Sequence, residues 1–237
     1  MTKSRSKEAA KPRASASSRK RAMPDEASFA RQAPQQERSR RRFEAIVEAA
    51  AELFAAQSFP EVTMDAIAQR AGTPIGSVYQ YFEDKRAVFA AVMARSNARA
   101  REAFEGVAHL AQASIVGGAR PALPFRAVLE AAIDGFLHLQ ESEPSIRAAN
   151  RNLTFLGELV AEDEALQREL AARTAELFAS YFPSADARTR KLVAATVVQL
   201  VTSFLIVADR QDPREGQRQL EECKLIVRLY VEARLGA

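Results

Sequence analysis

Between Thr73 and Arg86 the chain reads "TPIGSVYQYFEDKR", placing a glycine, a serine, two tyrosines and two cations close together. These side chains hydrogen-bond or hold charge, but no nucleophile stands beside a base. Elsewhere catalytic chemistry is thinner still: two histidines, His109 and His138, and one cysteine, Cys223. No HExxH, CxxC, GxSxG or phosphate-loop pattern occurs. Nucleophilic and metal catalysis are therefore not expected, and neither a metal nor a cofactor is implied. The stretch suits recognition of an anion instead. Gly76 lies in the first turn of a short helix, where glycine costs roughly 1 kcal/mol against alanine. Lys85 and Arg86 open the next helix, where the macrodipole disfavours a cation by about 0.3–1 kcal/mol. A phosphate at that N-terminus reverses the sign, because dipole and cation then attract the same group.

Arg40, Arg41 and Arg42 repeat the anomaly just after Ser39, which reads as the N-cap of an earlier helix. Two such helix starts point to one extended anion, and DNA fits. Taken singly, each is equally well explained as solvated surface charge.

The elements that must position these residues are helices. Hydrophobic residues make up 47% of the 237, with only 9 glycines and 10 prolines, and no alternating run is long enough for a sheet. The net charge of +4 conceals an asymmetry: residues 1–42 hold thirteen cations against four acids, leaving the rest acidic. Residues 1–37 lack apolar periodicity and read as a disordered basic arm. Apolar spacing predicts helices over about 40–57, from the Thr63 cap to Ala71, from the Thr73 cap through Pro74 to Phe82, and from Asp84 to near Gly106. After the loop "GGARPALP", five more are predicted over about 124–141, 143–161, 163–182, 186–210 and 214–235. Residues 192–208 contain no charge. A buried core helix explains that better than a membrane span; its second apolar face asks for another subunit, with Val201 and Val227 expected to point outward. One cysteine and no apolar leader suggest a cytoplasmic protein.

Two short helices joined by a glycine turn form a helix-turn-helix, whose second helix enters the major groove N-terminus first. That puts Ile75 near a thymine methyl, Gly76 where backbone meets DNA, and Ser77 at the base edges. Tyr79 and Tyr81 are placed to reach phosphates. Residues 40–93, with "AAAELF", "IAQRAG", "GSVYQYF" and "KRAVF", resemble the TetR family of bacterial transcriptional regulators. The resemblance implies an all-α homodimer: a helix-turn-helix domain over 38–84, and a helical ligand-binding and dimerisation domain over 85–237. It implies a palindromic operator on double-stranded DNA, with Thr63, Ser77, Tyr79, Tyr81 and Lys85 at contact positions, and a small molecule that releases the repressor. Ser58 stands where the family commonly has a glycine ending the first helix, so a left-handed residue there would be strained. Pro74-Ile75 replaces a commoner polar pair.

For the effector, Phe104, Phe136 and Phe155 are candidate walls, and His138, Asn152 and Gln199 candidate polar anchors; ordinary core packing is the competing reading. A mainly apolar pocket suits a hydrophobic ligand. A ligand-binding module without DNA function, or a nonspecific architectural DNA binder, stays open at this point.

Overall fold

The computed structural model describes residues 37–113, 123–152, 155, 157–209 and 211–236. The expected disordered arm, except Glu37, and most of the loop before Pro124 lie outside the described residues. Nine helices follow among those described: α1 (Glu37–Ala56), α2 (Met64–Arg70), α3 (Ile75–Tyr81), α4 (Lys85–Ala113), α5 (Phe125–Ser142), α6 (Pro144–Asn152), α7 (Gly157–Tyr181), α8 (Ala187–Asp209) and α9 (Pro213–Val231). A π-helical turn, Glu232–Gly236, completes α9.

The α1 stripe Phe43, Ile46, Val47, Ala50 and Phe54 is buried against Ile67 of α2, Val78 of α3 and Phe89 of α4. Phe54, Phe59 and Phe89 pack ring on ring, with centroids 5.0–5.7 Å apart. The same core takes in Met93 of α4 and Ala148 and Ala149 of α6. The boundary expected at residue 84 therefore falls inside a core, because the first two turns of α4 and the small face of α6 complete it. A second core joins α5, α7, α8 and α9 through Ile133, Phe178, Val197, Cys223 and Val227.

Thr63 caps α2, its Oγ1 accepting from the Ala66 amide at 3.1 Å. Gly72 ends it with φ +61°. The Gly72 amide donates to Gln69 and the Thr73 amide to Ala68, the Schellman pair that a left-handed glycine makes possible. The start of α3 differs from expectation. Pro74 is the residue before the helix, and the buried Thr73 Oγ1 has no hydrogen-bond partner, so Thr73 is not a cap. Asp84 caps α4 through the Ala87 amide at 2.8 Å.

Three expected ends also move. α4 continues past Gly106 to Ala113, held alongside α7 by Arg101–Glu169 and by Glu105–Arg173. α6 stops at Asn152 instead of 161, and α7 begins at Gly157.

The end of α1 supplies the reason for Asn152. Ser58 is not left-handed, since no described non-glycine residue has positive φ. Its amide instead turns to the Glu61 carboxylate at 2.8 Å, which leaves the last carbonyls of α1 without their helical donors. Asn152 Nδ2 donates to the Phe54 carbonyl at 2.7 Å, and Arg151 Nη1 to that of Ala56 at 3.2 Å. Asn152, expected in a ligand pocket, is fully buried here as a clamp between α6 and α1.

Lys85 corrects a second expectation. Its Nζ donates to the carbonyls of Phe59 (2.7 Å), Pro60 (3.2 Å) and Val62 (2.6 Å) and lies 4.6 Å from the centre of the Phe59 ring. Partial burial pulls its pKa below the ordinary lysine range. Hydrogen bonds from a charged donor contribute about 1.5–3 kcal/mol, more than the roughly 0.3–1 kcal/mol the macrodipole withdraws. The lysine is thus engaged by the α1–α2 loop, not held out for a phosphate.

Two stability predictions rest on these capped carbonyls. Lys85→Ala should cost about 1–3 kcal/mol, lowering the melting temperature by several degrees at about 2–4 °C per kcal/mol; an unchanged melting temperature would return the lysine to the surface. Asn152→Ala should also cost about 1–3 kcal/mol, because the Phe54 carbonyl stays buried without a donor. Thermal denaturation followed by circular dichroism measures both.

Candidate nucleic-acid interface and ligand cavity

α2 and α3 pack through Ile67, Ala68 and Val78 on the first core, and this fixes which residues of α3 face outward. Gly76 is exposed, Ile75 and Ser77 are half-buried, and Tyr79 is 44% exposed. Thr63 is exposed at the head of α2. A Cβ built on Gly76 meets nothing within 4 Å. Ile75, Gly76 and Tyr79 lie within about 100° of one another on α3, while half-buried Ser77 points about 200° from Tyr79.

Tyr81 does not join them. It is 5% exposed, its hydroxyl lies 2.7 Å from Ser39 Oγ, and its ring packs edge-on against Phe43. Tyr79 and Tyr81 are two residues apart, so on a helix they point about 200° apart; one faces out and the other ties α3 to α1. Ser39 correspondingly is not an N-cap. α1 is already helical at Glu37, and the Ser39 hydroxyl is used by Tyr81.

That changes the meaning of the three arginines. Arg40 and Arg41 both reach the Glu37 carboxylate, at 3.0 and 2.8 Å, and together they hold its pKa below the usual carboxylate range, with Arg41 the larger cause. Such exposed pairs contribute little, so the guanidiniums can exchange partners at little cost. Successive residues point about 100° apart: Arg40 and Arg41 are exposed and Arg42 is half-buried. They surround the start of α1 instead of forming one patch.

The cavity lies between α4, α5, α7 and α8 and has a volume of about 110 Å³. Phe104 and Phe136, both expected as walls, line it with Leu129, Ile133, Val197 and Val201. The other expected ligand residues lie elsewhere. His138 is exposed on the outer side of α5, Gln199 is exposed on α8, and Phe155 is 50% exposed. Reading isolated polar residues near apolar ones missed the real signal. Leu129, Ala132, Ile133 and Phe136 recur at helical spacing on α5, as do Val197, Val198, Val201 and Leu205 on α8, and both stripes face the cavity. Cys223 offers no reactive thiol: it is fully buried, and burial pushes its pKa up to about 11.

Two family models match this chain: "Bacterial regulatory proteins, tetR family" over residues 46–92, and "Tetracyclin repressor-like, C-terminal domain" over residues 124–230. An HTH-type transcriptional regulator of Pseudomonas putida, TtgW, described as uncharacterised, is 47% identical over 49 residues, 21% of this chain and 37% of that protein. The match thus spans little more than a third of that relative's length. A TetR-family regulator from Streptomyces coelicolor superposes with TM-score 0.56 at 21% identity, covering 82% of this chain and 99% of that one. A TetR-like regulator from Rhodococcus sp. RHA1 does so with TM-score 0.57 at 23% identity, covering 78% and 93%. At those identities the solved structures speak to the fold alone. The two models match in chain order, one on the helix-turn-helix and one on the helices around the cavity, and the chain belongs to the TetR family of bacterial regulatory proteins.

Proposed function

We propose that the protein is a homodimeric transcriptional repressor of the cytoplasm that occupies a palindromic DNA operator and is released by a small hydrophobic effector. The observation that carries the DNA reading is Gly76. Its φ is not positive, and a Cβ would find open space, so the fold has no use for a glycine there and alanine would favour the helix by up to about 1 kcal/mol. Close approach of a groove edge to the backbone supplies the missing reason. In that pose Ile75 and Ser77 meet base edges, while Thr63 and Tyr79 donate to phosphates. Arg40, Arg41, Arg42 and the basic segment before them add charge that releases counterions.

Support for the homodimer comes from α8 and α9. Only 28% of the most apolar window of α8 is buried within the protomer, although this helix is long and apolar enough to span a membrane. Leu192 and Val207 of α8 are 57% and 44% exposed, and Leu229 of α9 is 52% exposed with Ile226 beside it. Two such helices from each protomer make a four-helix contact. The outward positions differ from those expected: Val227 is fully buried, and Val201 faces the cavity.

Support for effector release comes from a chain of buried contacts. Leu205 lines the cavity, and its carbonyl accepts from Gln140 Nε2 at 2.9 Å. Gln140 Oε1 in turn accepts from Asn150 of α6 at 3.3 Å, two residues before the Asn152 clamp on α1. A ligand that separates α5 from α8 strains these bonds, and α6 passes the displacement to the helix-turn-helix. Coupling of about 1–3 kcal/mol would give a 5–150-fold change in operator affinity.

The deciding experiment is selection of DNA from a random pool by the purified protein. A recurrent palindrome is expected; a pool with no enriched sequence would leave a nonspecific binder or a ligand module. On the selected site, Gly76→Ala should weaken binding roughly tenfold, about 1.4 kcal/mol, while leaving the melting temperature equal or higher. Ser77→Ala should change the preferred base at one position per half-site by about 1–3 kcal/mol; affinity lost evenly across all sequences would mean that Ser77 reads no base. Ile226→Asp and Leu229→Asp should weaken dimer and operator binding together. Sedimentation as an unchanged dimer would move the interface to another face.

A further inference from the structure

We infer that the cavity between α5 and α8 selects a small uncharged molecule without hydrogen-bonding groups, a hydrocarbon or halocarbon of about benzene's size. This deepens the effector reading above and depends on it only for the molecule's role, not for its chemistry.

The walls decide the chemistry. None of the lining residues is ionisable, and the two with side-chain oxygens are Thr174 and Thr202. Thr174 Oγ1 donates to the Leu170 carbonyl one helical turn back at 2.8 Å, and Thr202 Oγ1 donates to Gln167 Oε1 at 3.4 Å. Both donors are satisfied within the protein. A ligand carbonyl or carboxylate oxygen would leave water and find no donor here, at a cost of roughly 2–7 kcal/mol for a neutral polar group and more for a charge. Methyls and rings lose nothing on entry.

An anionic head group has no refuge at the neighbouring pocket either. Phe104 and Leu177 border both spaces, and beyond them Arg173 lines a separate, more polar recess. Arg173 is already paired with Glu105 and, at 3.1 Å, with Glu169. An anionic head group would have to displace two carboxylates and would lie beside a third, Glu176.

Size narrows the class further. The cavity of about 110 Å³ is comparable with the roughly 150 Å³ apolar hole that stays dry and admits benzene. A drug-sized molecule asks for roughly 300–1,000 Å³ and would require α5 and α8 to part. Ala132 and the partly buried Val198 are the lining residues whose enlargement closes the space with least disturbance to the buried core.

The test uses the full-length protein in sealed cells, with benzene and cyclohexane against benzoate, hexanoate and benzylamine as probes. Benzene at about four times its dissociation constant should raise the melting temperature by about 2–4 °C, and the charged probes at the same free concentration should not. Ala132→Phe should abolish the benzene shift; should that variant fail to fold, Val198→Phe should do the same. A larger shift from benzoate, hexanoate or benzylamine overturns the inference, as does a benzene shift that survives in the filled variants. The operator assay is run separately on the same protein. Benzene binding that leaves operator affinity unchanged upholds the ligand class and defeats the release mechanism. Selective DNA binding with no benzene shift defeats the ligand class alone.

Discussion

The carbonyl groups at the end of α1 have to find donors, and much of the rest of the molecule is arranged around them. A helix that ends in a left-handed glycine satisfies its own last carbonyls, as α2 does at Gly72. α1 has Ser58 there instead, with its amide turned to Glu61. The donors therefore come from distant segments: Asn152 and Arg151 from α6 serve Phe54 and Ala56, and Lys85 from α4 serves Phe59, Pro60 and Val62. The missing cap ties α6 to α1, and Lys85 ties α4 to the loop that follows α1.

A mechanical consequence is that the DNA-facing unit has no independent edge. Its core includes α6, and Arg95 of α4 grips Glu44 and Glu48 of α1 from a nearly buried position. α6 also touches the polar contacts that lead to the cavity, through Asn150 and Gln140. The nine-residue α6 thus packs in the first core and hydrogen-bonds to α5.

Two oddities in the same short stretch of sequence have opposite physical explanations. Lys85 looks misplaced beside a helix dipole, yet three carbonyls of its own chain outweigh that cost. Gly76 looks wasteful in a helix, and nothing in its surroundings compensates for it. A residue whose local cost is offset inside the protein says little about a partner, whereas one whose cost is never offset inside points outward. Tyr81 and Tyr79 divide in the same way, one hydroxyl held by Ser39 and the other in solvent.

What the sequence by itself determined were features set by neighbours in the chain. Apolar spacing marked the helices, Thr63 and Asp84 their caps, Gly72 the turn, and "IAQRAG" with "GSVYQYF" the helix-turn-helix, because capping and helical periodicity act over three or four residues. Tertiary structure decided every contact between distant residues. Ser39 meets Tyr81 across 42 positions, Lys85 meets Val62 across 23, and Asn152 meets Phe54 across 98. A serine, a lysine or an asparagine has the same local signature whether it faces DNA, a ligand or an orphan carbonyl, so sequence placed Asn152 in a pocket and Lys85 on a phosphate. The cavity walls were hidden for the same reason: their apolar stripes look like any core until four helices, packed together, leave a space unfilled.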